Sequence, residues 1–108
     1  MLSVILANQS FAVRNKMSVE AALFAHVLYT MNFWAKEVEL PEGAFKCLDI
    51  QEIRSAAPIL FHQPNFQIKN ILNELAKARV IELPRVSTNG DKIFYRFGEK
   101  YDEYYLYQ

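Results

Sequence analysis

The segment from Ser18 to Phe33 constrains the fold more than any other part of the chain, because it predicts a helix without a polar face. Ser18 suits the N-cap, since its hydroxyl oxygen can accept a hydrogen bond from a free backbone N–H of the first turn. One face then carries Leu23, Phe24, Val27, Leu28 and Met31 at helical spacing. The opposite face carries Ala22, His26, Tyr29 and Phe33. A helix that is apolar nearly all round is buried on both sides.

The second side of this helix needs a cover, and three candidates are open. Residues 1–16 form an apolar N-terminal arm without clear periodicity, which fits either a strand or a short helix. Residues 98–108 form a tail in which helical spacing puts three tyrosines on one face. Another copy of the protein is the third candidate, since tyrosines with a polar tip suit a protein interface. The predicted interface residues of a homodimer are His26, Tyr29, Phe33, Phe66, Tyr101, Tyr104 and Tyr105.

Two further helices are predicted in the middle of the chain. Pro41–Gly43 indicate a loop, and Asp49 begins a short second helix that ends before Pro58. Pro64 suits the first turn of the third helix, where its missing N–H is not needed. The core stripe of this third helix consists of Ile68, Ile71, Leu72 and Leu75.

A β-hairpin is predicted after the third helix. Val80–Leu83 and Ile93–Phe97 have the composition of strands, and Asn89-Gly90 predicts a type I′ turn between them. Three helices followed by a hairpin describe a small α+β winged helix-turn-helix, in which the third helix reads the major groove and the hairpin is the wing. We expect residues 1–108 to form one domain, with a core at 17–97 between the arm and the tail.

Several stretches also resemble a known family. Residues 67–81, QIKNILNELAKARVI, are similar to the segment that leads from helix to strand in many bacterial and phage winged helices, with Arg79 where those domains usually have Gly. The stretches SFA at 10–12, MSVEAALF at 17–24 and PILFH at 58–62 resemble the N-terminal DNA-binding domain of phage and plasmid replication initiators, and DKIFYR at 91–96 is similar to their second wing strand. The resemblance implies duplex DNA binding in replication initiation or transcriptional regulation.

Candidate DNA contacts lie on the third helix, the turn before it and the wing. Asn and Gln can pair bidentately with adenine, whereas Lys and Arg neutralise phosphates and fix register. The predicted DNA-binding residues are Arg54, Gln63, Asn65, Gln67, Lys69, Asn70, Asn73, Lys77, Arg85, Asn89 and Lys92. Exposed amides would equally suit a helix face that only contacts water. With Leu72 at the centre of the buried stripe, Phe66 and Glu74 also fall on the exposed half, although we favour packing of Phe66 under the wing or the preceding turn over contact with DNA or a partner.

The charge distribution favours two different partners. Residues 54–96 hold seven basic and three acidic side chains and therefore carry +4, whereas the remainder carries −4. A neutral protein with one basic segment can meet a polyanion through that segment. Zero net charge, an exposed Phe66, Glu74 on the reading face and an acidic tail favour the alternative, a winged-helix protein-interaction module such as a phage-type adaptor or inhibitor of a host protein.

The sequence offers no pattern for catalysis, a metal or a cofactor. His26 and His62 lie on separate elements and lack a companion at i, i+4, and the three glycines are scattered. Cys47 is the only cysteine, so no disulfide can form within the chain and a reducing cytoplasm is expected. The apolar stretch Ala21–Trp34 is shorter than the ~20 residues of a bilayer span. We therefore expect a cytoplasmic protein without enzymatic activity.

Overall fold

A computed structural model describes residues 1–106 of the chain as an α+β fold, which is the predicted class. The helices are α1 (Gln9–Arg14), α2 (Val19–Met31), α3 (Ile50–Ala56), α4 (Pro58–Phe61), α5 (Ile68–Lys77) and α6 (Tyr101–Leu106), and a 3₁₀ turn, Asn32–Trp34, follows α2. The strands are β1 (Lys36–Leu40), β2 (Gly43–Asp49), β3 (Ile81–Glu82), β4 (Thr88–Asn89) and β5 (Lys92–Phe97). None of the helices in residues 1–106 combines the length and the apolar character that a membrane crossing requires.

Helix α2 lies in the centre of the core, and its N-cap is the predicted one. The Ser18 hydroxyl oxygen accepts a hydrogen bond from the Ala21 N–H at 3.1 Å. The buried residues of α2 are Ala21, Ala22, Phe24, Ala25, Val27, Leu28 and Met31. Because these residues point to more than one side, α2 is buried on two sides along most of its length, as its sequence predicts, but Tyr29 and Phe33 of its predicted second face stay exposed.

The arm and the tail of the same chain cover the second side of α2. The hydroxyls of Tyr104 and Tyr105 in α6 donate hydrogen bonds to the carbonyls of Ala22 and Ala25 in α2. The ring of Phe11 in α1 meets the ring of Tyr104 edge to face, with 5.3 Å between the centroids. The structure therefore fills this side with residues of the chain itself.

Asn8 joins the arm to the tail and is 6% exposed. Its Oδ1 caps α1 by accepting a hydrogen bond from the Phe11 N–H at 3.1 Å. Its Nδ2 donates to the Tyr104 carbonyl at 3.0 Å. Since buried polar groups need partners, this one amide holds α1 and α6 together as a single layer over α2.

The β1–β2 hairpin is an element that the sequence prediction missed, since only a loop was expected at Pro41–Gly43. Lys36 pairs with Cys47, and Leu40 pairs with Gly43 next to the turn. Gly43 has a φ of +124°, a conformation that favours glycine. The strands escaped prediction because three of the five residues of β1 are charged, so its apolar alternation is short.

Strand β5 is the centre of the sheet. It pairs antiparallel with β2 on one side and with β3 and β4 on the other, and the order across the sheet is β1-β2-β5-β3. The predicted strand Val80–Leu83 shortens to Ile81–Glu82, and pairing resumes at Thr88. Pro84 lies in this break and cannot donate a ladder hydrogen bond.

The hairpin turn lies one residue later than predicted. Asn89 pairs with Lys92, so the two turn residues are Gly90 and Asp91 rather than Asn89 and Gly90. Only Gly90 has a positive φ, at 60°, which fits a type II′ turn rather than type I′. Asn89 is therefore the last residue of a strand.

Helix α3 begins and ends as predicted. Asp49 is its N-cap, and the Asp49 Oδ1 accepts a hydrogen bond from the Gln51 N–H at 2.8 Å. The helix stops at Ala56, before Pro58. Pro58 then opens the short helix α4 at a position that needs no N–H.

Helix α5 begins at Ile68, so the prediction that Pro64 lies in its first turn is wrong. Phe66 explains the later start, because its side chain is half-buried and turned towards the core. The Phe66 ring lies 4.7 Å from the Phe61 ring and 5.8 Å from the Phe24 ring, centroid to centroid. Residues 62–67 consequently form a turn between α4 and α5.

Candidate nucleic-acid interface

Helix α5 has one buried and one exposed face, as its apolar stripe predicts. Ile71, Leu72 and Leu75 are buried in the core. The exposed residues of the helix and its N-cap are Gln67, Lys69, Asn70, Asn73 and Lys77. Asn70 and Lys77 are seven residues apart, which is about two turns or ~10 Å along the axis, and therefore lie on the same side. This exposed face is a strip of amides and cations.

Glu74 does not belong to this strip, which corrects the prediction that its carboxylate lies on the exposed half. The Glu74 Oε1 accepts a hydrogen bond from the Ser18 N–H at 2.9 Å, and its Oε2 accepts one from the Ser18 hydroxyl at 2.9 Å. The carboxylate thus lies at the N-terminus of α2, where the helix dipole favours a negative charge. The hydrogen bonds between Glu74 and Ser18 therefore connect α5 to the start of α2.

Two amides at the start of α5 contact each other. The Asn70 Nδ2 donates a hydrogen bond to the Gln67 Oε1 at 2.9 Å. The second N–H of the Asn70 amide and its Oδ1 have no partner within residues 1–106. Gln67 therefore orients Asn70 and leaves it one donor and one acceptor, the pair that an adenine edge requires.

Three predicted contacts lie in or near the turn before α5. Gln63 and Asn65 are exposed, and the Gln63 Nε2 donates to the Ile59 carbonyl at 3.2 Å. The guanidinium of Arg54, on α3, lies 5.0 Å from the centre of the Phe61 ring. Because Phe61 also touches the residue that precedes Gln67, Arg54 lies on the side of α3 that faces this turn.

The cations of the predicted wing lie close to acids. The Lys92 Nζ lies 3.2 Å from the Asp49 Oδ2, and this hydrogen bond raises the pKa of Lys92. The pKa of Asp49 is lowered, first by the hydrogen bond from the Gln51 N–H and then by Lys92. The Arg85 N–H donates to Glu42 and lowers the pKa of that carboxyl. The predicted contacts Arg85 and Lys92 are therefore close to negative charges.

Ion pairs divide the basic side chains into two groups. The paired ones are Lys46 with Glu37, Arg79 with Glu99, Lys92 with Asp49, Arg96 with Glu82, and Lys100 with Glu103. Lys69 and Lys77 have no acidic side chain within ion-pair distance in the part of the chain that the structure describes. The unpaired cations of α5 are free to meet an external anion.

The predicted interface residues do not all lie on one exposed surface, although the rings of Tyr29, Tyr101 and Tyr105 contact one another. Tyr104 and Tyr105 are 1% and 7% exposed and lie in the core, because α6 packs on α2. Phe66 is half-buried against two other phenylalanine rings. Tyr29 and Phe33 remain exposed, at 45% and 87%. The remaining two, His26 and Tyr101, are half-buried.

The groups with catalytic or metal-binding potential are separate from one another. Burial lowers the pKa of His26, whose ring nitrogen Nε2 lies 3.4 Å from the Thr30 hydroxyl. Burial raises the pKa of the Cys47 thiol, so a smaller fraction of this side chain is the nucleophilic thiolate. Across residues 1–106, no three His, Cys, Asp or Glu side chains gather where they could hold a metal ion.

Two features were absent from the sequence prediction. Trp34 is 61% exposed beside Phe33, and its ring meets the Phe33 ring edge to face at 5.7 Å. Lys16 lines a pocket with Lys77, although 61 sequence positions separate the two residues. The aromatic pair is visible in the sequence as Phe33-Trp34 at the end of a helix, whereas the shared pocket of Lys16 and α5 has no local sequence pattern.

The comparisons with known proteins leave the family open. No family model matches the chain, and neither the curated proteins nor the solved structures give a match.

Proposed function

We propose that this chain is a winged helix-turn-helix domain that binds duplex DNA through the exposed face of α5. The order of elements supports the fold, since α2, β2, α3, α5, β3 and β5 follow one another as helix, strand, helix, helix, strand and strand. β5 lies between β2 and β3, and this arrangement supports a wing formed by β3, β4 and β5. Helices α3 and α5, connected through α4 and a turn, form the helix-turn-helix pair.

The observation that carries the proposal is the charge of the exposed face of α5. Its cations Lys69 and Lys77 are unpaired within residues 1–106, and its other exposed residues are neutral amides. The carboxylate of Glu74, which would repel phosphates, is engaged by Ser18. Phosphate contacts provide most of the non-specific affinity of DNA-binding proteins, and this face offers two cations for them while its neighbouring acid, Glu74, is turned towards α2.

In this proposal α5 lies in the major groove, which is about 12 Å wide and admits a helix. Asn70 uses its free N–H and Oδ1 to pair with the N7 and N6 groups of an adenine, and Gln67 holds the amide in position. Lys69 and Lys77 contact phosphates and set the register. The wing contributes less to affinity, because Lys92 is already paired with Asp49.

The sequence resemblance supports a biological role in replication initiation or transcriptional regulation. Phage and plasmid replication initiators use such domains to recognise an origin, and transcriptional regulators use them to recognise an operator. A homodimer of this chain would read two half-sites about one helical turn apart. The cytoplasm is the compartment in which such DNA is found.

Fluorescence anisotropy with a labelled random-sequence duplex tests the proposal. We expect binding at about 50 mM salt that weakens at least about tenfold at about 200 mM, as several phosphate contacts require. The variant Lys69→Gln/Lys77→Gln should lose affinity and reduce the slope of log K against log salt by about two. Lys36→Gln is the matched control, because Lys36 is an exposed lysine on β1 and has no ion pair within residues 1–106.

Two results would contradict the proposal. One is the absence of binding at low salt for both random duplex and a pool of duplexes from which a preferred site can be selected. The other is a loss of affinity per removed lysine that is as large in Lys36→Gln as in the double α5 variant, since binding would then depend on net charge rather than on α5.

A second candidate function, a protein-interaction module, is favoured by the exposed aromatic pair. Phe33 and Trp34 present their rings to solvent at the end of α2, one turn after the partly exposed Tyr29. Large exposed apolar groups of this kind are typical of protein interaction sites. The partner in this alternative is a second copy of the chain or a host protein.

Sedimentation velocity over a wide range of protein concentrations tests the second candidate for self-association. If Phe33 and Trp34 form a homodimer contact, the wild type should dimerise and Phe33→Ser should remain a monomer with an unchanged melting temperature. A monomeric wild type at every concentration would exclude self-association through this pair.

A further inference from the structure

Two helix ends place a basic residue where glycine is usual. Lys16, after α1, and Arg79, after α5, have φ angles of 54° and 65° and are the non-glycine residues with positive φ in the described chain. The Lys16 N–H donates to the Val13 carbonyl, and the Met17 N–H donates to the Ala12 carbonyl. Arg79 and the residue after it make the equivalent two bonds at the end of α5. This is the Schellman arrangement, in which glycine avoids the strain of the left-handed conformation.

Within residues 1–106, the side chain of Arg79 forms an ion pair and that of Lys16 does not. The guanidinium of Arg79 forms an ion pair with Glu99, with 2.7 Å between Nη1 and Oε1. Lys16 is exposed and has no ion pair within residues 1–106. The backbone of Lys16 is strained, and its side chain forms no ion pair that would stabilise the fold. Such strain at a residue often indicates a functional role, such as binding a ligand.

The position of Lys16 indicates which ligand it can bind. Lys16 lines an open pocket of about 260 Å³ between the α1–α2 turn and the end of α5. Its other lining residues are Asn15, Met17, Glu74, Lys77 and Ala78. Both lysines of this pocket, which we name the Lys16 pocket, are unpaired, and its single acid is held by two hydrogen bonds from Ser18. The pocket therefore has a net positive charge and two free ammonium groups.

The Lys16 pocket continues the exposed strip of α5. Lys77 belongs to both, because it lies about two turns beyond Asn70 on the same side of the helix. A helix in the major groove has the phosphate backbones at its flanks, so the end of the strip is a place where a phosphate is expected.

We propose that the Lys16 pocket binds a backbone phosphate of duplex DNA, held between the ammonium groups of Lys16 and Lys77. The inference rests on the proposed function of α5 and extends the DNA contact to the α1–α2 turn, a segment outside the helix-turn-helix and the wing. Lys16 keeps its strained backbone because an ammonium group at this position reaches the phosphate, which a glycine cannot do.

The variant Lys16→Gly separates binding from stability. Glycine relaxes the backbone at this helix end, so the melting temperature should stay the same or rise. Affinity for a labelled random duplex should fall about eightfold at about 0.1 M salt, and the slope of log K against log salt should decrease by about 0.9, the effect of one lost phosphate contact. Lys16→Asn, which also tolerates a positive φ, provides a second variant of the same kind.

Arg79→Gly is the matched control. It removes a cation from the same backbone conformation, but that cation is paired with Glu99 and does not line the Lys16 pocket. We expect Arg79→Gly to leave the salt slope unchanged.

Each outcome of this experiment has a definite meaning. If Lys69→Gln weakens binding and both Lys16 variants bind like the wild type, the Lys16 pocket holds no phosphate and the proposal for α5 stands. If Arg79→Gly weakens binding as much as Lys16→Gly, general charge explains the effect and the inference is overturned. If the wild type binds no duplex at low salt, both proposals are overturned.

Discussion

Replacing Glu74 by Gln should weaken the fold and strengthen DNA binding, because one carboxylate stabilises α2 and also lies beside the candidate DNA surface. The carboxylate accepts two hydrogen bonds of 2.9 Å from Ser18. A hydrogen bond to a charged group contributes about 1.5–3 kcal/mol, and an acid at a helix N-terminus about 0.3–1 kcal/mol. Gln keeps one acceptor oxygen and loses the charge.

The expected net loss is about 1–2 kcal/mol, since Glu74 is only half-buried and solvent screens part of its charge. For a domain of this size that corresponds to a fall of roughly 5–15 °C in melting temperature. In the DNA assay, loss of the negative charge next to Lys77 should lower the Kd for random duplex.

A double-mutant cycle with Ser18→Ala and Glu74→Gln measures the interaction directly. Urea denaturation should give a coupling energy of about 1 kcal/mol between the two substitutions. Glu39→Gln, on an exposed position of β1, is the control and should change neither stability nor affinity. Additive effects of the two substitutions, or a Glu74→Gln variant as stable as the wild type, would refute the role assigned to this contact.

Three further predictions concern the ends of the chain and the amides of α5. Asn8→Ala should cost about 2–3 kcal/mol in urea denaturation, because it removes a helix cap and leaves the buried Tyr104 carbonyl without its donor, whereas Asn8→Ser keeps a capping oxygen without burying a charge beside that carbonyl and should cost less. Burial raises the pKa of Tyr105, so the buried side chain stays protonated at a pH at which the unfolded one loses its proton. The contribution of Tyr105 to the free energy of unfolding is therefore complete below about pH 10 and is lost as the pH rises above it. The melting temperature should decline above about pH 10, and Tyr105→Phe should reduce this decline. Gln67→Ala should leave the melting temperature unchanged and lower the preference for adenine over guanine opposite Asn70 in competition binding, and an unchanged preference would exclude the orienting role of Gln67.

The parts of the fold that the sequence predicts are those determined by near neighbours. The cap at Ser18 and the stripe of α5 involve residues at most a few turns apart, and both are confirmed. The predicted burial of α2 is confirmed for most of the helix but not for Tyr29 and Phe33. The end of α3 before Pro58 is also confirmed, because proline acts on the residue next to it. Local rules are reliable where no distant residue competes with them.

The parts that could not be predicted depend on contacts between distant positions. Glu74 turns away from the exposed face of α5 because its carboxylate binds Ser18, which is 56 positions earlier. Tyr104 and Tyr105 are interior, and Asn8 binds the Tyr104 carbonyl across 96 positions. The turn before α5 starts the helix later than Pro64 indicates, because Phe66 packs on helices α2 and α4. None of these partners is recognisable from spacing alone.

The outer position of β1 in the sheet has a consequence for aggregation. An edge strand offers free backbone N–H and C=O groups to another chain, and five residues are enough to begin intermolecular pairing. If two copies of β1 paired antiparallel about Val38, Glu37 of each copy would lie opposite Glu39 of the other. Like charges directly opposite each other repel, so the two glutamates protect the open edge of the sheet from growing into fibrils.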